Sequence, residues 1–240
     1  SYVELKLISP ERIEAQPGKV VTLSMVVVNH SGTAVNFSEA LELPSDWQVI
    51  IPTTSFILGA HDQQVRLVSL LIPVNSPAGS YQINYSITSQ DEKRDTCQVA
   101  VNVEVAAVSV IESLIEEKPQ VVVAGEEYTV RLRYMNKGNS AVTLNFELKG
   151  SPTYPLEFTP EEMSLPPGKS EVLTIRVKTD KKTTSAIKHV VGVKALDKKV
   201  ACQSDTIMVD VIPSIVGDYG FYHCIPSQFK IITGWDKPRR

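Results

Sequence analysis

Along most of the chain apolar and polar residues alternate with a period of two. The run Lys19-Val20-Val21-Thr22-Leu23-Ser24-Met25-Val26-Val27-Val28 shows it, as do Val99, Val101, Val103 and Val105, and later Ile207, Val209 and Val211. Side chains on a strand point to alternate faces, so this period predicts half-buried β-strands. Pro, Gly and Asn punctuate the runs at roughly 8 to 12 residue spacing, the signature of antiparallel sandwiches. Helical periodicity is nearly absent. The one segment open to a helix, Ile111 to Lys118, is led by Val108-Ser109-Val110-Ile111, whose β-branched residues favour a strand beginning at Val108.

The pattern occurs twice. Pro17-Gly18 precedes the first run, which closes at Asn29-His30-Ser31-Gly32; Ala124-Gly125 precedes Glu126 to Met135, which closes at Asn136-Lys137-Gly138. Positions 18 and 125, like 29 and 136, lie 107 residues apart, about one sandwich domain. Glycine serves the opening turn and Asn-x-Gly chemistry the closing one. The repeat persists where Phe56-Ile57-Leu58-Gly59 precedes a strand at Gln64 to Ile72, and where Met163 to Lys169 precedes one at Ser170 to Lys178. The expected organisation is therefore a sandwich at 1–106, a diverged copy at 107–213 and a tail at 214–240 that belongs to neither.

Composition narrows the chemistry. With 42% hydrophobic and 21% charged residues in 240, each half can bury a core without a metal or disulfide staple. A net charge of −3 with scattered Lys and Arg leaves no basic face for a phosphate backbone, so nucleic acid is not an expected partner. No stretch approaches the roughly 20 apolar residues that span a bilayer, and membrane association is expected only through an adjoining segment. Cys97, Cys202 and Cys224 form no CxxC pair; a Cys202–Cys224 disulfide and three thiols both remain open. His30, His61, His189 and His223 lack metal-ligand spacing, and no Gly-x-Ser-x-Gly elbow or phosphate-cradling loop is present. Neither a catalytic set, a metal site nor a cofactor is expected. Asp91-Glu92-Lys93-Arg94-Asp95 and Asp197-Lys198-Lys199 mix cations with acids, which suits solvated hairpin tips better than a calcium loop.

Several motifs resemble the bacterial NEW3-type domains, relatives of the fibronectin-like and immunoglobulin-like sandwiches. They are Pro17-Gly18 with its strand and Asn29, the turn Leu43-Pro44-Ser45-Asp46-Trp47, Pro73, and Pro77-Ala78-Gly79-Ser80-Tyr81. In the second half Tyr154 to Phe158 replaces the tryptophan turn, and Thr184-Ser185-Ala186-Ile187 lacks the Pro-x-Gly-x-Tyr residues. The resemblance implies an all-β chain of two tandem immunoglobulin-like antiparallel β-sandwiches with a C-terminal extension. It also implies a non-catalytic module of a bacterial cell-envelope or secreted protein, periplasmic, outer-membrane-associated or extracellular, that spaces or docks a neighbouring domain or protein partner.

Three places are candidates for binding. Trp47 is either an aromatic platform for a sugar ring, as in a carbohydrate-binding accessory region of a glycan-acting enzyme, or a cap on the core, which is the favoured placement. Val101 and Val103 alternate in the closing strand; similarity to two-domain pilus chaperones and usher-associated assembly proteins would make that strand a donor to an incomplete partner. No basic anchor lies between Arg94 and Lys118, which favours an ordinary final strand. In the tail, Phe221, Tyr222 and Trp235 suit either aromatics packed on the second sandwich or the start of a further domain, such as the first strand of a membrane barrel with its aromatic girdle.

Overall fold

The computed structural model describes residues 2–92 and 94–214, together with the backbone of 216–217, 220–221, 224–225 and 228–229. Among the described residues all regular structure is β, and no helix is long and apolar enough to cross a membrane. The chain forms two compact units, Ser1–Val108 with Gly138–Ser140, and Ser109–Lys137 with Ala141–Arg240.

The first unit contains β1 (Val3–Leu7), β2 (Arg12–Ala15), β3 (Val20–Asn29), β4 (Val35–Glu42), β5 (Gln48–Val49), β6 (Phe56–Leu58), β7 (Gln63–Leu71), β8 (Gly79–Ser89) and β9 (Thr96–Val105). They make a four-stranded sheet, β1-β3-β7-β5, and a five-stranded sheet, β2-β9-β8-β4-β6. All neighbours are antiparallel except β2 and β9. After Leu7 the chain leaves the edge of one sheet and joins the edge of the other at Arg12. Alternation then places Leu23, Met25 and Val27 of β3 and Val68 and Leu70 of β7 in one core with Phe37, Ile83, Tyr85, Ile87, Val101 and Val103 from the facing sheet. Each such aliphatic side chain contributes about 1.5–3 kcal/mol on burial.

The second unit repeats this arrangement with β10 (Ile111–Glu117), β11 (Val121–Val123), β12 (Glu127–Asn136), β13 (Val142–Lys149), β14 (Leu156–Thr159), β15 (Glu162–Leu165), β16 (Ser170–Lys178), β17 (Ile187–Asp197) and β18 (Val200–Ile212). The sheets are β10-β12-β16-β14 and β11-β18-β17-β13-β15, with β11 and β18 parallel. The strand orders of the two units are thus identical. The 107-residue offset holds for the starts of β3 and β12, β4 and β13, and β7 and β16. Two layers built this way, with an edge strand that changes sheet, are two immunoglobulin-like sandwiches in tandem.

The opening strand of the second unit begins at Ile111, three residues later than Val108. Ile111 is the first residue of that segment to enter the core, whereas Val110 is exposed. Gly18 and Gly125 have φ of 73° and 92°, the left-handed conformation that favours glycine; a Cβ on Gly18 would also stand 2.8 Å from Val74 Cγ1. Lys198 and Lys199, both at positive φ, make the tight turn between β17 and β18. At the other hairpin tip Asp91 accepts from the Tyr2 hydroxyl, and Asp95 accepts from the Tyr2 N–H at 3.2 Å.

The asparagine that ends β3 turns its side chain inward. Asn29 is fully buried: Nδ2 donates to the carbonyls of Leu58 (3.2 Å), Gly59 (2.9 Å) and Thr33 (2.9 Å), and Oδ1 accepts from the N–H and hydroxyl of Ser31. Leu58 belongs to β6, so this amide ties the two sheets together at one end. Asn136, ending β12 and equally buried, donates to Leu165 of β15 at 2.9 Å. Truncating either amide strands buried carbonyls, at about 1–3 kcal/mol for each group left unpaired. Asn29→Ala and Asn136→Ala should therefore each lower stability by about 2–3 kcal/mol in urea unfolding followed by circular dichroism; an unchanged midpoint would show that the amides do not brace the sheets.

Candidate functional site

The outward face of the four-stranded sheet in the first unit follows from the register of β3 against β7. Val20 pairs with Leu71, Thr22 with Ser69, Ser24 with Leu67, and Val26 with Val65. Val20 is 52% exposed, Val65 54% and Leu67 67%. Ile50, just past β5, is 50% exposed and donates its N–H to Ser69 O at 2.9 Å. In the middle the Thr22 and Ser69 hydroxyls satisfy one another at 2.9 Å. Charge enters this face at its β1 margin, where Lys6 neutralises Glu4 at 2.7 Å. The result is an uncharged outer surface across β3 and β7.

The second unit provides an internal control. At the same positions of the same fold stand Glu127 opposite Lys178, Thr129 opposite Arg176, Arg131 opposite Thr174, and Arg133 opposite Val172. Arg131 reaches Glu117 at 3.9 Å, and Arg133 bonds Glu116. Leu114 stands exposed among these charges. A sandwich of this topology therefore folds with a charged outer face, and the aliphatic one on the first unit is not a requirement of folding.

The edge beside this face is also open. Ile72 exchanges backbone hydrogen bonds with Gly18 and Lys19, so in the alternating antiparallel ladder the odd-numbered residues of β7 aim their N–H and C=O groups away from β3. β5 covers Leu70 and Leu71, and Ile50 covers Ser69. Among the described residues no backbone group meets those of Val65 and Leu67 on that side. In the second unit β14 pairs as far as Thr174, the counterpart of Leu67. An uncovered edge carrying exposed aliphatic side chains is a template for strand addition.

Beneath this edge an ion pair fixes β7. Arg66 holds Glu39 of β4 in a fork, Nε to Oε1 at 2.7 Å and Nη2 to Oε2 at 2.8 Å, and stacks 4.4 Å over the Phe56 ring. The Tyr85 hydroxyl and the Thr54 N–H also donate to Glu39. Burial pushes the Glu39 carboxyl up, but the donors from Arg66 and Tyr85 outweigh it and hold it below the usual carboxylate range. Arg66 takes the inward side of the strand and leaves Val65 and Leu67 outward.

The residues singled out in the sequence lie elsewhere. Trp47 is 7% exposed and packs its ring 5.2 Å from Tyr81, which is the core cap and not an open sugar platform. Val101 and Val103 are buried, on a strand paired with β8 along its length and with β2 at Asn102 to Val105; a strand so held is no free donor. The side chains of Phe221 and Cys224, and Tyr222 and Trp235 as a whole, lie outside the described residues. Cys202 donates its thiol to Ala195 O at 3.3 Å. The apolar face went unread because Val65, Leu67, Val68, Leu70 and Leu71 put aliphatics on both parities of β7; that doubling was its signal.

The chain is thus, by sheet topology, a pair of immunoglobulin-like sandwiches. No protein-family model matches it, and no curated protein matches it. Among solved structures it is similar to a protein of unknown function from Porphyromonas gingivalis, with 17% identity and TM-score 0.36, over 88% of this chain and 100% of that one. It is also similar to Escherichia coli alpha-2-macroglobulin (15%, TM-score 0.36), over 88% of this chain but 22% of the other. The YadV chaperone matches at 10% identity and TM-score 0.30, over 87% of this chain and 100% of its own.

The second unit buries a histidine among its tyrosines. His189 is sandwiched in the core: Nδ1 lies 2.7 Å from the Tyr128 hydroxyl, Nε2 accepts from Ser151 N–H at 3.3 Å, and the Tyr154 ring meets it edge-on at 4.7 Å. Burial holds its pKa below the usual histidine value, and pushes Tyr128 up to about 12. A lowered folded-state pKa means that the unfolded chain binds the extra proton first. The histidine's contribution is complete above the unfolded value of about 6.5 and is lost as pH falls through the folded value. Urea midpoints should therefore drop on acidification below about pH 6.5, and His189→Gln should flatten that dependence; parallel pH profiles for the two proteins would contradict the assignment.

Proposed function

We propose that the chain is a non-catalytic interaction module whose first sandwich docks a protein through the outer face of β3 and β7 and the open β7 edge. The carrying observation is the contrast between the twins: one fold, one register, and charge removed from this face in the first copy alone. Aliphatic surface brought out of water favours association by about 25 cal/mol per Å² before ordering costs, and the bare edge adds backbone pairing. The NEW3-like residues Pro17-Gly18, Asn29 and the turn ending at Trp47 support a bacterial cell-envelope or secreted setting, periplasmic, outer-membrane-associated or extracellular. The glycan reading lacks its platform once Trp47 is buried, and the strand-donor reading lacks its strand once Val101 and Val103 are.

A photo-reactive side chain at position 67 of the protein produced in its native cells should give a discrete protein adduct, whereas the same group at position 174, its counterpart in the second unit, should give none. Equal labelling from both positions, or none from position 67, would contradict the proposal.

A further inference from the structure

We infer that the open β7 edge pairs with the same edge of a second copy of the chain, antiparallel about a two-fold axis, so that the outer faces of the two copies lie side by side on one continuous sheet. The inference rests on the docking reading above and narrows it to one partner. Three properties of the surface select a like surface. First, it is uncharged: a face that carried one sign of charge would repel its copy, whereas here the marginal Glu4 and Lys6 already neutralise each other at 2.7 Å. The chain as a whole carries −3, so the uncharged region is where two copies can meet without opposing like charges.

Second, the free edge is self-complementary. Val65 and Leu67 each present one N–H and one C=O away from β3, and in an antiparallel pair two such residues exchange both bonds. Two-fold symmetry delivers that pairing with one patch used twice. Joining the edges would merge two four-stranded sheets into one of eight strands and leave no unpaired groups at Val65 and Leu67. Arg66 does not obstruct this, since its charge is turned inward and forked to Glu39.

Third, the contact is small, as a reversible dimer requires. Backbone pairing is confined to Val65 and Leu67, whose side chains meet as cross-strand neighbours on the outer face. The contact is well below the roughly 800 Å² per partner of a standard interface. The association should depend on concentration and be sensitive to single residues. The second unit differs on both counts: its face is charged, and β14 covers Thr174, the counterpart of Leu67.

The test is sedimentation of the purified full chain over a concentration series under reducing conditions, combined with amide hydrogen exchange. The expected result is a monomer–dimer equilibrium in which the Val65 and Leu67 amides gain protection as concentration rises. Leu67→Glu should weaken it by about 30-fold or more with an unchanged circular dichroism spectrum, and Thr174→Glu in the second unit should leave it intact. A chain that stays monomeric, a dimer that survives Leu67→Glu, or a dimer whose Val65 and Leu67 amides still exchange freely would each overturn the inference. A monomeric chain that still gives an adduct to another protein from position 67 would sink self-pairing and leave the docking face standing.

Discussion

The buried carboxamide at the end of β3, and its twin at the end of β12, is the constraint on which each sandwich depends. Two sheets packed through aliphatic side chains can slide, because hydrophobic contact has no direction. Asn29 removes that freedom by bonding the carbonyls of Leu58, at the end of a strand of the opposite sheet, and of Gly59 just beyond it, while accepting from Ser31 in the turn that follows its own strand. Asn136 does the same toward Leu165. With that end pinned, the parity of β3 and β7 is set, and with it which side chains enter the core and which face outward.

Everything the two units share lies on the inner side of that arrangement, and what separates them lies outside. Leu23, Met25 and Val27 have inward counterparts in Val130, Leu132 and Tyr134. One residue away along the same strands, Val20 and Val26 stand where the second unit has Glu127 and Arg133. Because solvent-facing positions of a sheet tolerate charge, the first unit's aliphatic outer face and shortened β5 are not requirements of this fold, and the proposed docking builds on that difference. The Arg66–Glu39 fork keeps the charge carried by β7 itself on the inner side of the strand.

Much of the fold was legible in the sequence. Period-two runs, the Gly18 and Gly125 turns and the 107-residue offset pointed to two antiparallel sandwiches, and the strand at Ser170 to Lys178 is where the pattern placed it. The role of Asn29 was not legible: an Asn before His-Ser-Gly reads as a turn former, and its inward bonds depend on carbonyls 29 and 30 residues away. The aliphatic outer face was hidden for a different reason. A strand with aliphatics on both parities reads the same whether it is covered on both sides or bare on one, and only the two-layer count shows that nothing among the described residues covers Val65 and Leu67. Trp47, Val101 and Val103, whose residue types and spacing suit binding, serve the core.

The central claim is that the first unit's outer face is kept for association and is dispensable for folding. Exchanging it for its twin tests this most directly: Val20→Glu, Leu67→Thr and Leu71→Lys together, the residues that occupy 127, 174 and 178. The account predicts an unfolding free energy in urea within about 1 kcal/mol of the parent, as surface substitutions give, with self-association lost in sedimentation. A chain destabilised by about 3 kcal/mol or more, or one that associates as before, would contradict it.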